Sequence, residues 1–387
     1  IEKLEVNTIH LTVTEAHAVL LENGKALIYW STFVRQIVRD NGEKAWLRIY
    51  NDMQRFPSEK EISAAFKRMV MDLPKVGFVE GHGERSYSGG KDRDYSAFAN
   101  DKGFRYALEN QGFDVAKVTM DQQVPEDINI IVISDMREWF TPEQEANLQQ
   151  YIDRGGNLFI LGEPKRRDVM NNLFAKFGYE MTTGVLVKRD TNLQADVILS
   201  YPTKEADSIA YDFGTMRNRR MVITTPSTAG LEQIADKGYT VTNMFKTDTI
   251  GVWNELETTD FIDDTVRLNP AIGEVEKIYN TVVALSRKVG NKEQKIILTG
   301  DADCISNGEF GRRVLGVRTA NFSLITGSFF WMSDNEVPID VRRPALPDDK
   351  VYVEKTGSKV IKWSFMIILP LLLAGIGVFL WIRRKGR

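Results

Sequence analysis

Twenty consecutive residues without a charge, Trp363–Ile382 (WSFMIILPLLLAGIGVFLWI), constrain this chain more than any other feature. Wound as a helix they extend ~30 Å, the thickness of the hydrocarbon core of a bilayer. Trp363 and Trp381 stand at the two ends, where indole rings favour the membrane interface. Pro370, Gly375 and Gly377 weaken a soluble helix but are tolerated in a spanning one. The stretch therefore reads as a membrane anchor. Arg383, Arg384, Lys385 and Arg387 follow it at once, which favours a cytoplasmic C-terminus. Arg343, Lys350, Lys355, Lys359 and Lys362 nearly balance the count on the other side, but the tail is denser. Residues 1–358 are accordingly expected outside the cytoplasm, anchored in the inner membrane. The first thirty residues hold no apolar signal-peptide core and the chain starts at Ile1, so an upstream export segment in a longer membrane protein is expected.

With 387 residues the chain exceeds one typical domain. A formal net charge of -3 gives no general attraction to nucleic acid, so no nucleic-acid partner is expected. Cys304 is the single cysteine, which excludes a disulfide within the chain.

Residues 1–72 read as a small α/β lead-in. Strands are expected around Leu4–Val13, Lys25–Trp30 and Trp46–Tyr50, and a helix after Pro57. From 73 to 180 apolar runs alternate with helical patterns. Val76–Val79 is a strand, and a helix is expected from Tyr95 to Asn110. Phe113–Met120, Ile128–Ile133 and Asn157–Leu161 are further strands. Runs such as INIIVI suit central parallel strands covered on both faces. Thr141-Pro142-Glu143-Gln144 opens a helix with a capping box, and Asp168 is the expected cap of the next. The pattern predicts an α/β fold with a doubly wound, mostly parallel sheet. Residues 181–290 read as a β-rich insertion, except for a helix expected over 274–289. Residues 291–333 complete the α/β domain with the strand Lys295–Leu298 and a helix over Asn321–Met332. Residues 334–358 form a charged, proline-containing linker, 359–383 the transmembrane helix and 384–387 a basic tail.

Ligands in open α/β sheets bind beyond the carboxyl ends of the parallel strands. Four such ends carry polar residues: His82, Glu84 and Arg85; Ser134, Asp135 and Arg137; Glu163, Lys165 and Arg166; and Asp301 and Asp303. Of these, His82, Glu84, Arg85, Asp135, Arg137, Glu163, Asp301 and Asp303 are the candidate ligand-binding residues. Gly81, Gly83 and Gly300 are the candidate loop-forming glycines. His82 sits between two glycines in GHGER, as a base, a ligand donor or a brace for a neighbouring carboxylate. The other histidines, His10 and His17, lie far off in sequence, and no HxxxH or CxxC spacing exists, so neither metal nor cofactor is expected. Cys304 follows a strand end and would serve an amidase- or hydrolase-like mechanism only with His82 in reach. No small-residue elbow surrounds Ser134, and no phosphate-cradling or dinucleotide glycine motif is present.

KVGFVEGHGER, then VPEDINIIVISDMREWFTPEQEANLQQYIDRGGNLFILGEP, then ILTGDADCISNGEF resemble the auxiliary domain of ABC-type transport systems of the gliding-motility GldG type. The likeness covers roughly residues 73–180 and 293–333. Cys304 stands where that family usually has phenylalanine, and Trp331-Met332 where Trp-Leu is common. The resemblance implies a fold similar to class I glutamine amidotransferases without their catalytic cysteine. It also implies an extracytoplasmic location, and an ABC-2-type permease with its ABC ATPase as partners. A non-catalytic component binding a partner or an envelope ligand, a carbohydrate by analogy, is the leading expectation. A Cys304–His82 hydrolase and a purely structural envelope scaffold are the alternatives.

Overall fold

The computed structural model describes residues 72–338, apart from 102, 105, 263, 264 and 313, and residues 356–386. It also describes the backbone of five short strands before residue 48: β1 (Lys3–Leu4), β2 (Ile9–Val13), β3 (Ala26–Leu27), β4 (Arg35–Arg39) and β5 (Lys44–Leu47). These pair antiparallel as β1–β3 and β2–β4–β5. The helix expected after Pro57 and most of the expected linker lie outside the described residues. The chain divides into two units, Ile1–Asp340 and Val341–Arg387.

The first unit is built on one large mixed sheet. Five of its strands run parallel side by side: β6 (Lys75–Val79), β7 (Asp114–Val118), β8 (Ile128–Ser134), β9 (Asn157–Leu161) and β18 (Lys292–Thr299). Their spatial order is β18-β9-β8-β6-β7, so β6 lies between the two strands that follow it in sequence. The chain leaves β6 in one direction to β7 and in the other to β8. Such a reversal opens a crevice at the carboxyl ends of the two strands between which it occurs, β6 and β8.

Both faces of this block are covered, which explains its unbroken apolar runs. Val76, Phe78, Ile130, Val132, Phe159 and Ile297 point to one core, and Val79, Ile131, Ile133, Leu158, Ile160 and Ile296 to the other. The first core is closed by α1 (Ser96–Ala99), α2 (Leu108–Gln111), α5 (Tyr211–Asn218) and α6 (Asn321–Met332). The second is closed by α3 (Pro142–Asp153) and α4 (Arg167–Lys176). Thr141 caps α3 with the full capping box: its hydroxyl accepts from the Gln144 N–H while the Gln144 side chain takes the Thr141 N–H. Asp168 lies in the first turn of α4 rather than capping it.

Two expected helices are not formed. The segment Tyr95–Asn110 is split into α1 and α2, because Asp101 turns the chain. Its carboxylate accepts the Gly103 N–H, and its carbonyl takes the amide of Asn110. The helix expected over 274–289 is replaced by β17 (Asn280–Val289), a central strand that pairs with β18 across a hairpin at Gly290. Val282 and Ala284 enter one core and Val283 and Leu285 the other. With both faces buried, the alternation of period two is masked.

The segment expected as a β-rich insertion supplies β10 (Tyr179–Met181), β11 (Val185–Lys188), β12 (Val197–Pro202), β13 (Met221–Pro226), β14 (Leu231–Gln233), β15 (Thr240–Lys246) and β16 (Val252–Glu255), besides β17. Strands β17, β15, β12 and β13 continue the large sheet antiparallel beyond β18, and β19 (Arg318–Thr319) closes that edge. β11 and β16 form a separate ribbon.

In the second unit Thr356–Lys385 is one helix of 30 residues, long and apolar enough to cross a membrane. Pro370 has no N–H for the carbonyl of Met366, and the turn before it, Ser364–Ile368, widens to π-helical. Lys385 Nζ lies 4.8 Å from the centroid of the Trp381 ring.

Candidate functional site

The carboxyl ends of β6, β8, β9 and β18 converge on one side chain. Arg85, buried six residues past β6, donates from Nε to Asp135 (3.2 Å) and from Nη2 to Glu163 (3.2 Å). Its Nη1 donates to Asp303 (2.5 Å) and to the carbonyl of Ala302 (2.9 Å). Each acid comes from a different strand end, so the guanidinium clasps four strands together. Asp135 reaches it directly from the end of β8 by adopting a left-handed backbone (φ 47°), a conformation that aspartate tolerates better than most residues. A second guanidinium lies over the first: Arg93 contacts Glu163 (2.5 Å), Asp303 (3.2 Å) and Asp135 (3.4 Å), with its side chain 53% exposed.

The electrostatics follow from this crowding. Burial, and then the charge of Asp135, raise the Glu163 carboxyl above the usual carboxylate range. Asp301 sits deeper. One of its oxygens accepts the Asp303 N–H (2.6 Å), and the other is buried without a hydrogen-bond partner among the described residues. Burial, and then the charge of Asp303, hold its carboxyl well above the ordinary value. Tyr95 supports the layer from beneath, donating its hydroxyl to the Ala302 carbonyl (2.8 Å) that also receives Arg85.

His82 and Glu84 form a separate unit on the same lip. Glu84 Oε2 accepts the N–H groups of Gly81 (2.9 Å) and His82 (2.6 Å), closing the turn. His82 Nε2 is hydrogen-bonded to Gln144 Oε1 (2.9 Å), and its Nδ1 lies 3.4 Å from Glu84 Oε1. Phe140 packs edge-on against the ring at 4.8 Å. In this arrangement the histidine is a brace between the GHGER turn and the start of α3. Gly83 (φ 82°) lies under the stem of Arg137, where a Cβ would come within 2.7 Å of that side chain. Arg137 itself is exposed and stands apart from the Arg85 cluster, tied to the lip through its N–H on the His82 carbonyl (2.8 Å). A Cβ at Gly300 would lie 2.0 Å from the carbonyl oxygen of Ala229, so only glycine fits at the end of β18.

Cys304 does not form a nucleophile–base pair. Its thiol is buried and hydrogen-bonded to the Asp301 carbonyl (3.3 Å), while His82 is engaged with Gln144. Burial, and then the charge of Asp301, push the thiol pKa well up, the reverse of what a thiolate nucleophile requires. As for metals, Glu255, Glu257 and Glu274 are the one group among the described residues close enough to share a cation. Both oxygens of Glu255 and both of Glu274 already accept N–H groups at 2.6–3.2 Å, which accounts for the grouping as loop bracing.

Three residues outside the sequence-based candidates shape the site: Arg93, Tyr95 and Asn307. Asn307 ties the Ser86–Asp94 loop to the β18 end. Its amide donates to the carbonyls of Gly89 and Lys91, and its oxygen accepts the Ala97 N–H at 2.7 Å. The signal for it was in the sequence, since Asn307 belongs to the GDADCISN run at the end of β18. Arg93 carried no such signal, lying in a polar loop indistinguishable from a solvated one.

A family model described as "ABC-type uncharacterized transport system" matches residues 73–323, well over half of the chain. The chain belongs to this family of ABC transport auxiliary proteins. The matched region begins just before β6 and ends inside α6, so it contains every residue of the Arg85 cluster and the His82 brace. No curated protein sequence matches. Among solved structures, the chain is similar to the mmIFT52 N-terminal domain, with 13% identity over 68% of this chain and 98% of that one and a TM-score of 0.45. It is also similar to a ThuA-like protein from Parabacteroides merdae, with 10% identity over 72% and 94% of the two chains and a TM-score of 0.37. Likenesses of this degree carry no functional argument.

Proposed function

We propose that this chain is a non-catalytic, membrane-anchored component of an ABC-2-type transport system. In this reading it works with a permease and an ABC ATPase, in the manner of the gliding-motility GldG-type proteins. Its large unit lies outside the cytoplasm, has the layout of a class I glutamine amidotransferase domain, and engages a partner or an envelope ligand at the strand-end lip. The observation that carries the reading is the family match over residues 73–323, which encloses the whole lip. Two features support it. The apolar helix Thr356–Lys385 suits an anchor. The one thiol at the lip is buried and its pKa raised, which suits binding better than acyl transfer.

The test is assembly and transport with a variant of the exposed lip. Arg137→Ala removes an exposed guanidinium that holds no buried partner among the described residues, so the fold is expected to persist. The wild-type chain, solubilised from membranes in detergent, is expected to co-purify with a permease and an ATPase. Recovery of neither overturns the component reading. Arg137→Ala is expected to lower that recovery or the transport rate severalfold. Unchanged recovery together with unchanged transport overturns the lip assignment and leaves the component reading standing.

A further inference from the structure

Arginines gather at the start of β13, the end of that strand remote from the lip. Two stretches without an aspartate or a glutamate, 213–226 and 310–323, hold six arginines between them. The fold brings these stretches together. β13 and β19 run parallel with Met221 beside Arg318 and Val222 beside Thr319, and the Ala320 N–H donates to the Val222 carbonyl at 2.8 Å. Neighbouring strands lie ~4.8 Å apart, so Arg219 and Arg220, just before β13, stand next to Arg318. We propose that this face rests on an anionic lipid surface, that of the bilayer for which the apolar helix Thr356–Lys385 is suited. The proposal goes beyond the lip reading and shares with it only the membrane anchor.

The charge is free to act outward. Arg217 is paired with Asp207 and Arg312 with Glu309. Arg219, Arg220 and Arg318 are exposed and make no ion pair among the described residues. Each unpaired cation held near acidic headgroups adds to the attraction. Leu315 adds an apolar element. It is 90% exposed, more than any other large apolar side chain described. It sits at the tip of a turn in which the Val317 N–H donates to the Val314 carbonyl at 3.2 Å and Gly316 is left-handed (φ 77°). Val314 is buried and roots the turn. A lone exposed leucine means little. One carried on a rooted turn among arginines has the make-up of an interfacial contact, guanidiniums for phosphates and an apolar tip for the acyl boundary. An acidic protein surface would answer the arginines but offer the leucine no such depth.

The exit of the chain lies close by. α6 begins three residues past Arg318, where the Asn321 side chain exchanges hydrogen bonds with the backbone of Thr224 in β13. Its 12 residues extend ~18 Å to Met332. There the Met332 carbonyl accepts from the Asn157 amide, and Lys295 Nζ donates to the Trp331 carbonyl (2.8 Å) and to Asp334 (2.6 Å). The large unit is therefore pinned up to a point one helix length from the arginines, and from there the chain runs on toward Thr356. Fully extended, segment 339–355 spans about 60 Å, enough for more than one face to reach a bilayer. Charge and Leu315 single out one face. Ser227, just past the other end of β13, lines a cavity with Glu163, so the lip stays free when the arginines are engaged.

The experiment places the full chain in lipid nanodiscs with a fluorophore at Leu315→Cys or, as reference, at Lys91→Cys in the exposed loop after β6. Cys304 is buried, so the introduced thiol takes the label. The discs are phosphatidylcholine with or without phosphatidylglycerol, each containing a lipid with a headgroup nitroxide as quencher. With phosphatidylglycerol present, quenching at 315 is expected to exceed that at 91 severalfold. Omitting phosphatidylglycerol, or combining Arg219→Gln, Arg220→Gln and Arg318→Gln, is expected to lower it about threefold. Arg219→Gln alone, at an exposed helix end, is expected to give a smaller loss and serves should the triple variant fail to fold. Quenching at 315 no greater than at 91 overturns the proposal. So does quenching that neither lipid charge nor the arginine variants alter. A label at 315 shielded from a soluble quencher yet not reached by the lipid nitroxide means that a protein, a second copy or another chain, covers the face, and this too overturns it. Each of these results leaves the lip reading to stand or fall with Arg137→Ala. A chain that stays out of the discs overturns the anchor on which both rest.

Discussion

Two polar regions meet at Glu163, and they differ in what their side chains have left to offer. On one side Arg85 and Arg93 saturate Asp135, Glu163 and Asp303, and a buried guanidinium holds four strand ends together. On the other side Glu163 forms part of the wall of a cavity of about 430 Å³, together with Lys165, Asp196 and Asp260. The first region packs its charges around one buried guanidinium, and charge is what draws attention to a strand end. A ligand, however, needs room as well as hydrogen-bonding groups, and around Arg85 the carboxylates of Asp135, Glu163 and Asp303 are already engaged. The contrast separates a clasp from a receptacle along a single sheet edge.

The largest effect expected from this contrast belongs to Arg85. Arg85→Met keeps most of the volume but leaves Asp135, Glu163 and Asp303 crowded around Arg93 alone. Removing one partner of a buried ion pair costs about 3–5 kcal/mol, because the remaining charges stay desolvated. Urea denaturation of the detergent-solubilised chain is expected to show a loss of that order. A loss below about 1 kcal/mol would place the cluster with ordinary surface ion pairs and undo the clasp.

The reading of the sequence reached the strands better than the side-chain partnerships. The parallel strands from β6 to β9, and β18, were visible as short apolar runs ending in polar residues, because strands buried on both faces leave that mark. The same property hid β17. Asn280–Val289 is apolar on both faces and adjoins Val275 and Ile278, which happen to fall at helical spacing although both are exposed. At the lip, Arg85, Asp135, Glu163, Asp301 and Asp303 were named from strand ends alone, and four of them meet. Their pairing was not legible, since it depends on the order β18-β9-β8-β6 that brings residues 218 positions apart into contact. His82, the most conspicuous residue of the motif, turned on Gln144, whose place was already taken in a capping box.

A smaller effect, with a sign set by pH, is expected at Asp301. Its carboxyl and that of Glu163 stand above the ordinary range in the folded chain. Between the ordinary value and the raised one, the folded state therefore binds more protons than the unfolded state. Stability then falls as pH rises through that interval, and is recovered as pH is lowered again. Asp301→Asn keeps the oxygen that accepts the Asp303 N–H and removes the titration. The variant is expected to match or exceed the wild type at neutral pH, with its advantage shrinking as pH falls to about 4. Denaturation midpoints across that range measure it. A variant that loses stability most at neutral pH would mean that the Asp301 charge supports the fold.

The smallest effect on stability belongs to Arg93, which makes as many ion pairs as Arg85 with half of its side chain in water. Solvent screens those contacts, and exposed pairs are typically worth about 0.2–1 kcal/mol. Arg93→Ala is expected to cost no more than that. The loop that carries it is held independently: Asn307 takes two of its carbonyls, and the N–H of Gly308 donates to Asp92 at 2.8 Å. Urea denaturation of the detergent-solubilised chain measures the cost. A loss of about 3–5 kcal/mol would instead make Arg93 a buried partner of the same standing as Arg85, and the clasp a pair of arginines rather than one.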